Sequence, residues 1–154
     1  MAANLDIIAP VIQLAVAPVF LLTGIGALLG PITTRLGRII DRARTLEAAL
    51  CGTEPARRPA IEAELRTLTR RARLINRAIT LCVVAALLIC AVIAGLFVMA
   101  YYAWSPDLTR LTAAVFGIAL IALISGLLCF LREVYVATAS LRFGAFNADP
   151  GPPA

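Results

Sequence analysis

Three long stretches of the chain contain no charged residue, and the segments between them are either short or strongly charged. The stretches cover residues 7–30, 78–104 and 111–131 and are 24, 27 and 21 residues long. About 20 apolar residues, rising 1.5 Å each, cross a hydrocarbon core of about 30 Å, and only a helix pairs its own backbone groups there. The pattern predicts an all-α membrane protein with three transmembrane helices.

Residues 31–77 show a second pattern, because their apolar residues recur every three or four positions. The first series is Leu36, Ile39, Ala43, Leu46 and Leu50, and the second is Ile61, Leu65, Leu68, Ala72, Ile75 and Ile79. This is the spacing of a heptad seam on two helices, separated at residues 51–59 by a glycine stop and two prolines. It predicts an antiparallel helical hairpin whose second arm continues into transmembrane helix two, with a bend at Gly30-Pro31.

The remaining segments complete the predicted organisation. Residues 1–6 form the N-terminal end, residues 105–110 a turn, residues 132–146 a helical extension of helix three and residues 147–154 a disordered tail. Residues 1–6 contain no basic side chain, and the first apolar stretch is about twice as long as that of a signal peptide. We therefore expect helix one to remain in the protein, with a kink at Pro18.

The charges predict the orientation. All 14 basic residues are arginines: eleven lie in residues 31–77, Arg132 and Arg142 follow helix three, and Arg110 lies in the short turn. The positive-inside rule then places the N-terminus outside and both residues 31–77 and the C-terminus in the cytoplasm. Aromatic residues at 101, 102 and 104 fit an interfacial belt at the outer surface.

The basic segment offers a candidate face for anionic lipid headgroups or for a partner. It consists of Arg35, Arg38, Asp41, Arg42, Arg73 and Arg77. Asp41 is able to pair with Arg38, Arg44 or the neighbours of Arg42 along the surface, and we expect Glu133 to reach the same level from helix three as an interface ion pair. A structural ion-pair network is favoured over a functional site. Nucleic acid is not an expected partner, because no aromatic stacking residue accompanies the arginines.

Polar residues inside the predicted spans are few. The candidate intramembrane contacts are Gln13, Thr23 and Ser125. Thr23 and Ser125 either meet across helices one and three or donate to carbonyls of their own helices. Gln13 is expected to face a helix, a water or another subunit. Gly37 in the first hairpin arm suggests close approach of another backbone, and small residues four apart in the spans suggest close helix packing.

Little catalytic chemistry is available to the chain. It has no histidine, no C-x-x-C pair and no ionisable carboxylate or base inside a span. The four cysteines, Cys51, Cys82, Cys90 and Cys129, are interpreted as reduced or as small packing residues. No catalytic residue, cofactor or metal site is predicted, and an enzyme is the least favoured reading.

Several motifs resemble one family. They are the segment 17–29 (APVFLLTGIGALL), the segment 35–46 (RLGRIIDRARTL), the segment 71–77 (RARLINR), and Ser125 with Glu133. Together they resemble the bacterial membrane family called domain of unknown function 2721 (DUF2721) over roughly residues 9–141. The resemblance implies a small multi-pass membrane protein and supplies no substrate.

These observations predict a non-enzymatic protein of the bacterial inner membrane. Its cytoplasmic hairpin is expected to mediate homo-oligomerisation through the seam or to dock a protein partner, since two short arms with alanines in the seam are marginal alone. The alternative is an oligomeric channel or transport component lined by Gln13, Thr23 and Ser125.

Overall fold

The computed structural model consists of three long helices. It describes residues 2–50, 52, 54–102 and 106–144, with side chains for residues 12–50, 52, 54–99 and 106–138. Helix α1 spans Ala2–Leu50, α2 spans Arg58–Tyr102 and α3 spans Pro106–Gly144. Each of the three is long and apolar enough to cross a membrane. The prediction of an all-helical chain with three membrane-capable helices is therefore confirmed.

The helices are much longer than a bilayer core requires. They contain 49, 45 and 39 residues, which corresponds to about 75, 70 and 60 Å. Their most apolar windows have mean hydropathies of 2.1, 3.1 and 2.7, yet only 17%, 28% and 17% of the residues in them are buried inside the chain. A single chain thus leaves most of its apolar helix surface to its surroundings, as a membrane protein leaves it to lipid.

The helix bounds differ from the predicted ones at two places. Helix α1 stays helical across Pro18 and across Gly30-Pro31, so no break separates its apolar part from the basic part. Helix α3 begins at Pro106, so most of the predicted turn at 105–110 belongs to its first two turns. This fits proline's preference for the first turn, where no amide hydrogen is needed.

Three of the expectations fall outside what the structure describes. The side chains of the aromatic belt at 101, 102 and 104 lie outside the described residues, as do the predicted disordered tail at 147–154 and Cys51. Of residues 1–6, the structure describes the backbone from Ala2 onward, which is helical.

Helix α2 lies between the other two, and α1 and α3 touch each other only marginally. In the apolar part, Ile25 of α1, four small or branched residues of α2 and α3, and Leu123 form one buried cluster. The α2–α3 contact is close because Gly126 has no side chain: a Cβ there would lie 3.1 Å from Cys82 Sγ and 3.2 Å from the Ala78 carbonyl oxygen. Small residues thus set the distance between α2 and α3.

Gly37 does not have the close neighbour expected of it. A Cβ at Gly37 would meet nothing within 4 Å, and the same holds for Gly26, Gly30 and Gly117 among the described residues. The reason is helical geometry, because Gly37 lies two positions, about 200°, from the buried Ile39 and faces away from the neighbouring helix.

The two predicted apolar series pack against each other within one chain. The buried members of this cluster are Ile32, Ile39, Leu46, Leu68 and Ile75. Leu36, Ala43, Ile61, Leu65, Ala72 and Ile79 are partly buried around them, together with Phe130 of α3. We refer to residues 32–50 of α1 and 58–79 of α2 as the paired arms. Each arm therefore covers much of the seam of the other.

Candidate functional site

A buried carboxylate lies where the paired arms meet α3. Glu133 is 0% exposed and is the buried charged residue among the described side chains. It follows the last apolar stretch by two positions, so α3 carries it to the level at which the chain becomes polar. A buried carboxylate is unfavourable unless positive groups and hydrogen bonds compensate it.

Arg71 of α2 supplies the main compensation. Its Nε and one terminal guanidinium nitrogen both donate to Glu133 Oε1, at 3.2 and 3.0 Å. The Arg71 side chain is itself only 23% exposed. Charge-assisted hydrogen bonds of this length in a partly dry environment are among the stronger polar contacts in proteins. They fix α3 to α2 just outside the apolar part of the molecule.

Arg35 of α1 contributes a weaker contact to the other oxygen. One of its terminal nitrogens lies 3.7 Å from Glu133 Oε2, an ion-pair distance that is too long for a hydrogen bond. Among the described groups Oε2 has no hydrogen-bond partner. The Arg35 guanidinium also lies 5.6 Å from the ring centroid of Phe130, within cation–π range. Arg35 thereby bridges α1 to α3, two helices that otherwise hardly touch.

The heptad register explains why the third helix must supply a carboxylate. On the same flank of the seam, Arg42 of α1 pairs with Glu64 of α2, with nitrogen–oxygen distances of 3.1 and 2.9 Å. One heptad earlier on α1 is Arg35, and one heptad later on α2 is Arg71. That step of the register therefore brings two arginines together. Glu133 from α3 receives both of them and removes the like-charge repulsion between α1 and α2.

We call Arg35, Arg71 and Glu133 the junction cluster. Arg35 lies five residues beyond the first uncharged stretch, Arg71 seven before the second and Glu133 two after the third. Along the helices these offsets are about 8, 10 and 3 Å. The cluster is therefore at the boundary between the apolar part and the paired arms, beside Phe130, whose ring centroid lies 5.6 Å from the Arg35 guanidinium.

The contacts of the junction cluster hold three helices in position. Two guanidinium groups and one carboxylate carry opposite charges and hold each other in place. Within the described part of the chain, no group of three or more metal-ligating side chains is placed to bind a metal ion. What the cluster can do is fix the direction in which the paired arms leave the apolar bundle.

The predicted interaction face is only partly brought together. Arg35 joins the junction cluster and Arg42 pairs with Glu64. Arg38, Asp41, Arg73 and Arg77 are exposed. None of the ion pairs between described residues includes Asp41, which, like Gly37, lies two positions from Ile39 on the outer side of α1.

The intramembrane polar residues also stay apart. Thr23 Oγ1 donates to the Val19 carbonyl at 3.2 Å, and Ser125 Oγ donates to the Ile121 carbonyl at 2.8 Å. Of the two alternatives for these hydroxyls, bonding within their own helices is therefore confirmed. Gln13 is exposed on α1 rather than turned toward another helix of the chain.

Sequence reasoning missed Arg71 and Glu64 as site residues. The signal that identifies them is present, because they are seven residues apart and lie on one flank of the second apolar series. Arg35 and Arg42 stand in the same relation to the first series. Charged residues in these flanking heptad positions are the ones that pair between helices.

Comparison with known proteins gives a family and no function. No curated protein matches the chain. No solved structure matches it either. A family model described as "Protein of unknown function (DUF2721)" matches residues 15–143, which includes Arg35, Arg71 and Glu133 and most of the length of all three helices. The chain therefore belongs to the DUF2721 family.

Proposed function

We propose that the protein is a non-catalytic docking module of the bacterial inner membrane. Its three helices anchor it, with the N-terminus outside and the C-terminus in the cytoplasm, and the paired arms form a cytoplasmic helical hairpin that binds a protein partner. The observation that carries this proposal is a stripe of exposed arginines on the outer face of α2.

The stripe consists of Arg66, Arg70, Arg73 and Arg77, all exposed. Their spacings of four, three and four residues place them on one helix face. That face points away from the seam, since Leu68 and Ile75 are buried on the opposite side. None of the four takes part in an ion pair within the described part of the chain. Their charges are therefore available to an acidic surface.

The two ends of the stripe have different surroundings in the proposed orientation. Arg77 adjoins the uncharged stretch of α2 and, with Arg38 and Arg73, lies near anionic headgroups. Arg66 lies eleven residues further from the membrane, about 16 Å along the helix. At that distance screening separates it from the lipid charge. The distal half of the stripe is left for a soluble, acidic protein surface.

Packing of the two arms against each other within one chain favours binding of a different protein over dimerisation through the seam. Ile32 and Ile75 are 1% and 0% exposed in a single chain. A dimer built on the same seam would first have to separate the arms and expose this cluster. Rigid attachment to the bundle through the junction cluster further suits a docking role, because a fixed arm loses less conformational freedom on binding.

Site-specific photo-cross-linking in living cells tests the proposal. A photoreactive residue at Arg70 is expected to yield a cross-link to another protein, whereas one at Glu47, exposed on α1, serves as the matched control site. Reversing the stripe with R66E and R73E is expected to abolish the product. A product of twice the chain mass would show self-association instead. Absence of any product specific to position 70 would contradict the docking proposal.

The orientation has its own test, because Cys51 lies between the arms and the other three cysteines lie in uncharged stretches. A membrane-impermeant maleimide is expected to label Cys51 in inverted vesicles and not in intact spheroplasts. The control is C51S/D107C, which moves the thiol to the start of α3 and should reverse the labelling pattern. Labelling of Cys51 from outside would contradict the proposed topology.

A further inference from the structure

At the end of the bundle opposite the paired arms, an apolar groove separates α1 from α3. It has a volume of about 290 Å³. Its floor is α2 at Leu96 and Met99, and its walls are Pro18 of α1 and Ala113 and Phe116 of α3. The groove exists because α1 and α3 touch only marginally and because alanine on the α3 wall fills little space. A cavity of this size in an apolar protein surface is filled by something in a membrane.

The groove opens sideways toward the surrounding medium. Leu14, on the α1 wall, is 56% exposed, and Ala113 on the facing wall is exposed. The Thr112 hydroxyl in the groove is already used, since it donates to the Leu108 carbonyl at 2.9 Å. The walls therefore present apolar atoms to whatever fills the groove. In a bilayer, the apolar groups beside a transmembrane helix are lipid acyl chains.

An exposed arginine adjoins one end of this groove without lining it. Arg110 directly follows Thr109, which lines the groove, and it is exposed at the first turns of α3. No ion pair of Arg110 is found among the residues the structure describes. From Thr109 to Phe116 the groove extends about 10 Å along α3. An apolar slot with an exposed arginine beside its end suits an amphiphile that has an apolar chain and an anionic head.

We propose that this groove binds one acyl chain of an anionic phospholipid whose phosphate contacts Arg110. The lipid fills the space between α1 and α3 that protein side chains leave open. A second copy of the chain is the less suitable occupant, because the same arginine on each copy would bring two like charges to the interface. The proposal requires membrane insertion and is independent of what the paired arms bind.

A second apolar concavity provides a contrast. It has a volume of about 350 Å³ and lies on the other side of α1, lined by residues that include Val16, Phe20 and Phe97. No charged residue lines it or adjoins a lining residue in sequence. We therefore expect acyl chains there without headgroup preference. Of these two concavities, the groove beside Arg110 is the one in which we expect selective binding.

Native mass spectrometry of the full-length protein tests this. The probes are vesicles of phosphatidylglycerol and phosphatidylcholine with identical acyl chains. The wild-type chain is expected to retain one phosphatidylglycerol in preference to phosphatidylcholine, and R110Q should lower this preference about fivefold. A113W fills the groove and should reduce lipid retention, whereas A114W, an equal substitution on a lipid-facing position of α3, should not.

The outcomes are decisive in either direction. Equal retention of the two lipids by the wild-type chain overturns the proposal without any variant, so it remains testable even if A113W fails to fold. Equal lipid retention by A113W and A114W also overturns it. If the wild-type chain is dimeric and A113W converts it to a monomer with unchanged lipid per chain, the occupant is a second copy and the proposal is wrong.

Discussion

Replacing Glu133 by glutamine removes the negative charge between two guanidinium groups while keeping the side-chain volume. Loss of one member of a buried ion pair costs about 3–5 kcal/mol. Arg71 is 23% exposed and Arg35 48% exposed, so water can partly solvate both after the change. We therefore expect a loss near the lower limit, about 3 kcal/mol. For a chain of this size that corresponds to a fall in Tm of about 6–12 °C.

The packing of the helices can be followed through a native thiol. Cys82 is 0% exposed and belongs to the cluster in which α1, α2 and α3 meet. In a C51S/C90A/C129A background, which leaves Cys82 as the one remaining cysteine of the sequence, a thiol-reactive dye in lipid nanodiscs should report the temperature at which this cluster opens. Helix content is a poorer readout, because membrane helices keep their backbone hydrogen bonds after their contacts are lost.

The matched control is E64Q, the same chemical change at an exposed ion pair. Arg42 and Glu64 have side chains that are 57% and 44% exposed, and such pairs contribute about 0–1 kcal/mol. The Tm of E64Q should therefore stay within about 3 °C of the parent. If E133Q and E64Q lower the Tm equally, burial of Glu133 does not matter and the reasoning about the junction cluster is refuted.

Three further predictions follow from the contacts. The double variant R71L/E133L should recover most of the stability lost in R71L or E133L alone, because no unpaired charge then remains between α2 and α3. A double-mutant cycle with the same dye measures this, and strictly additive losses would contradict a direct pair. G126A should destabilise the protein by about 1–3 kcal/mol, because the Ala78 carbonyl oxygen lies 3.2 Å from the new Cβ and cannot move aside. The control G117A, which has open space around its Cβ, should be neutral or should stabilise the protein by up to about 1 kcal/mol in the same melt. T23A and S125A should change stability by no more than about 0.5 kcal/mol, since each hydroxyl bonds its own helix; a loss of solute flux from liposomes carrying either variant would instead favour the channel alternative.

The parts of the fold that follow from one-dimensional spacing were predictable. Absence of charge over more than 20 residues marks a membrane-capable helix whatever its neighbours do. The heptad series likewise identified the residues of the paired arms, including Ile39, Leu68 and Ile75, since period alone decides which side chains share a face. The continuity of α1 across Gly30-Pro31 was not predictable in this way, because proline permits a bend without imposing a break.

The site was less predictable because it depends on a third helix. Spacing along α1 and α2 places Arg35 and Arg71 on one flank of the seam, but it does not say which face of α3 turns toward them. Glu133 was assigned to an interface ion pair, while its complete burial and its use of Arg71 depend on how α3 packs. Asp41 and Gly37 show the reverse case, since their positions relative to Ile39 already place them on the outer face.

The junction cluster ties the third helix to the paired arms. The seam of the paired arms contains two alanines, Ala43 and Ala72, and its register brings Arg35 toward Arg71. Left to themselves, these arms would combine modest apolar burial with like-charge repulsion at the base. Glu133 converts that repulsion into two attractions and ties both arms to α3.

The arginine stripe therefore has a fixed direction relative to the membrane, because α2 carries it as one uninterrupted helix out of the bundle. A partner bound at Arg66 or Arg70 would contact α2, the same helix that packs between α1 and α3. The binding proposed at the arms is therefore connected, through α2, to the packing of the apolar bundle.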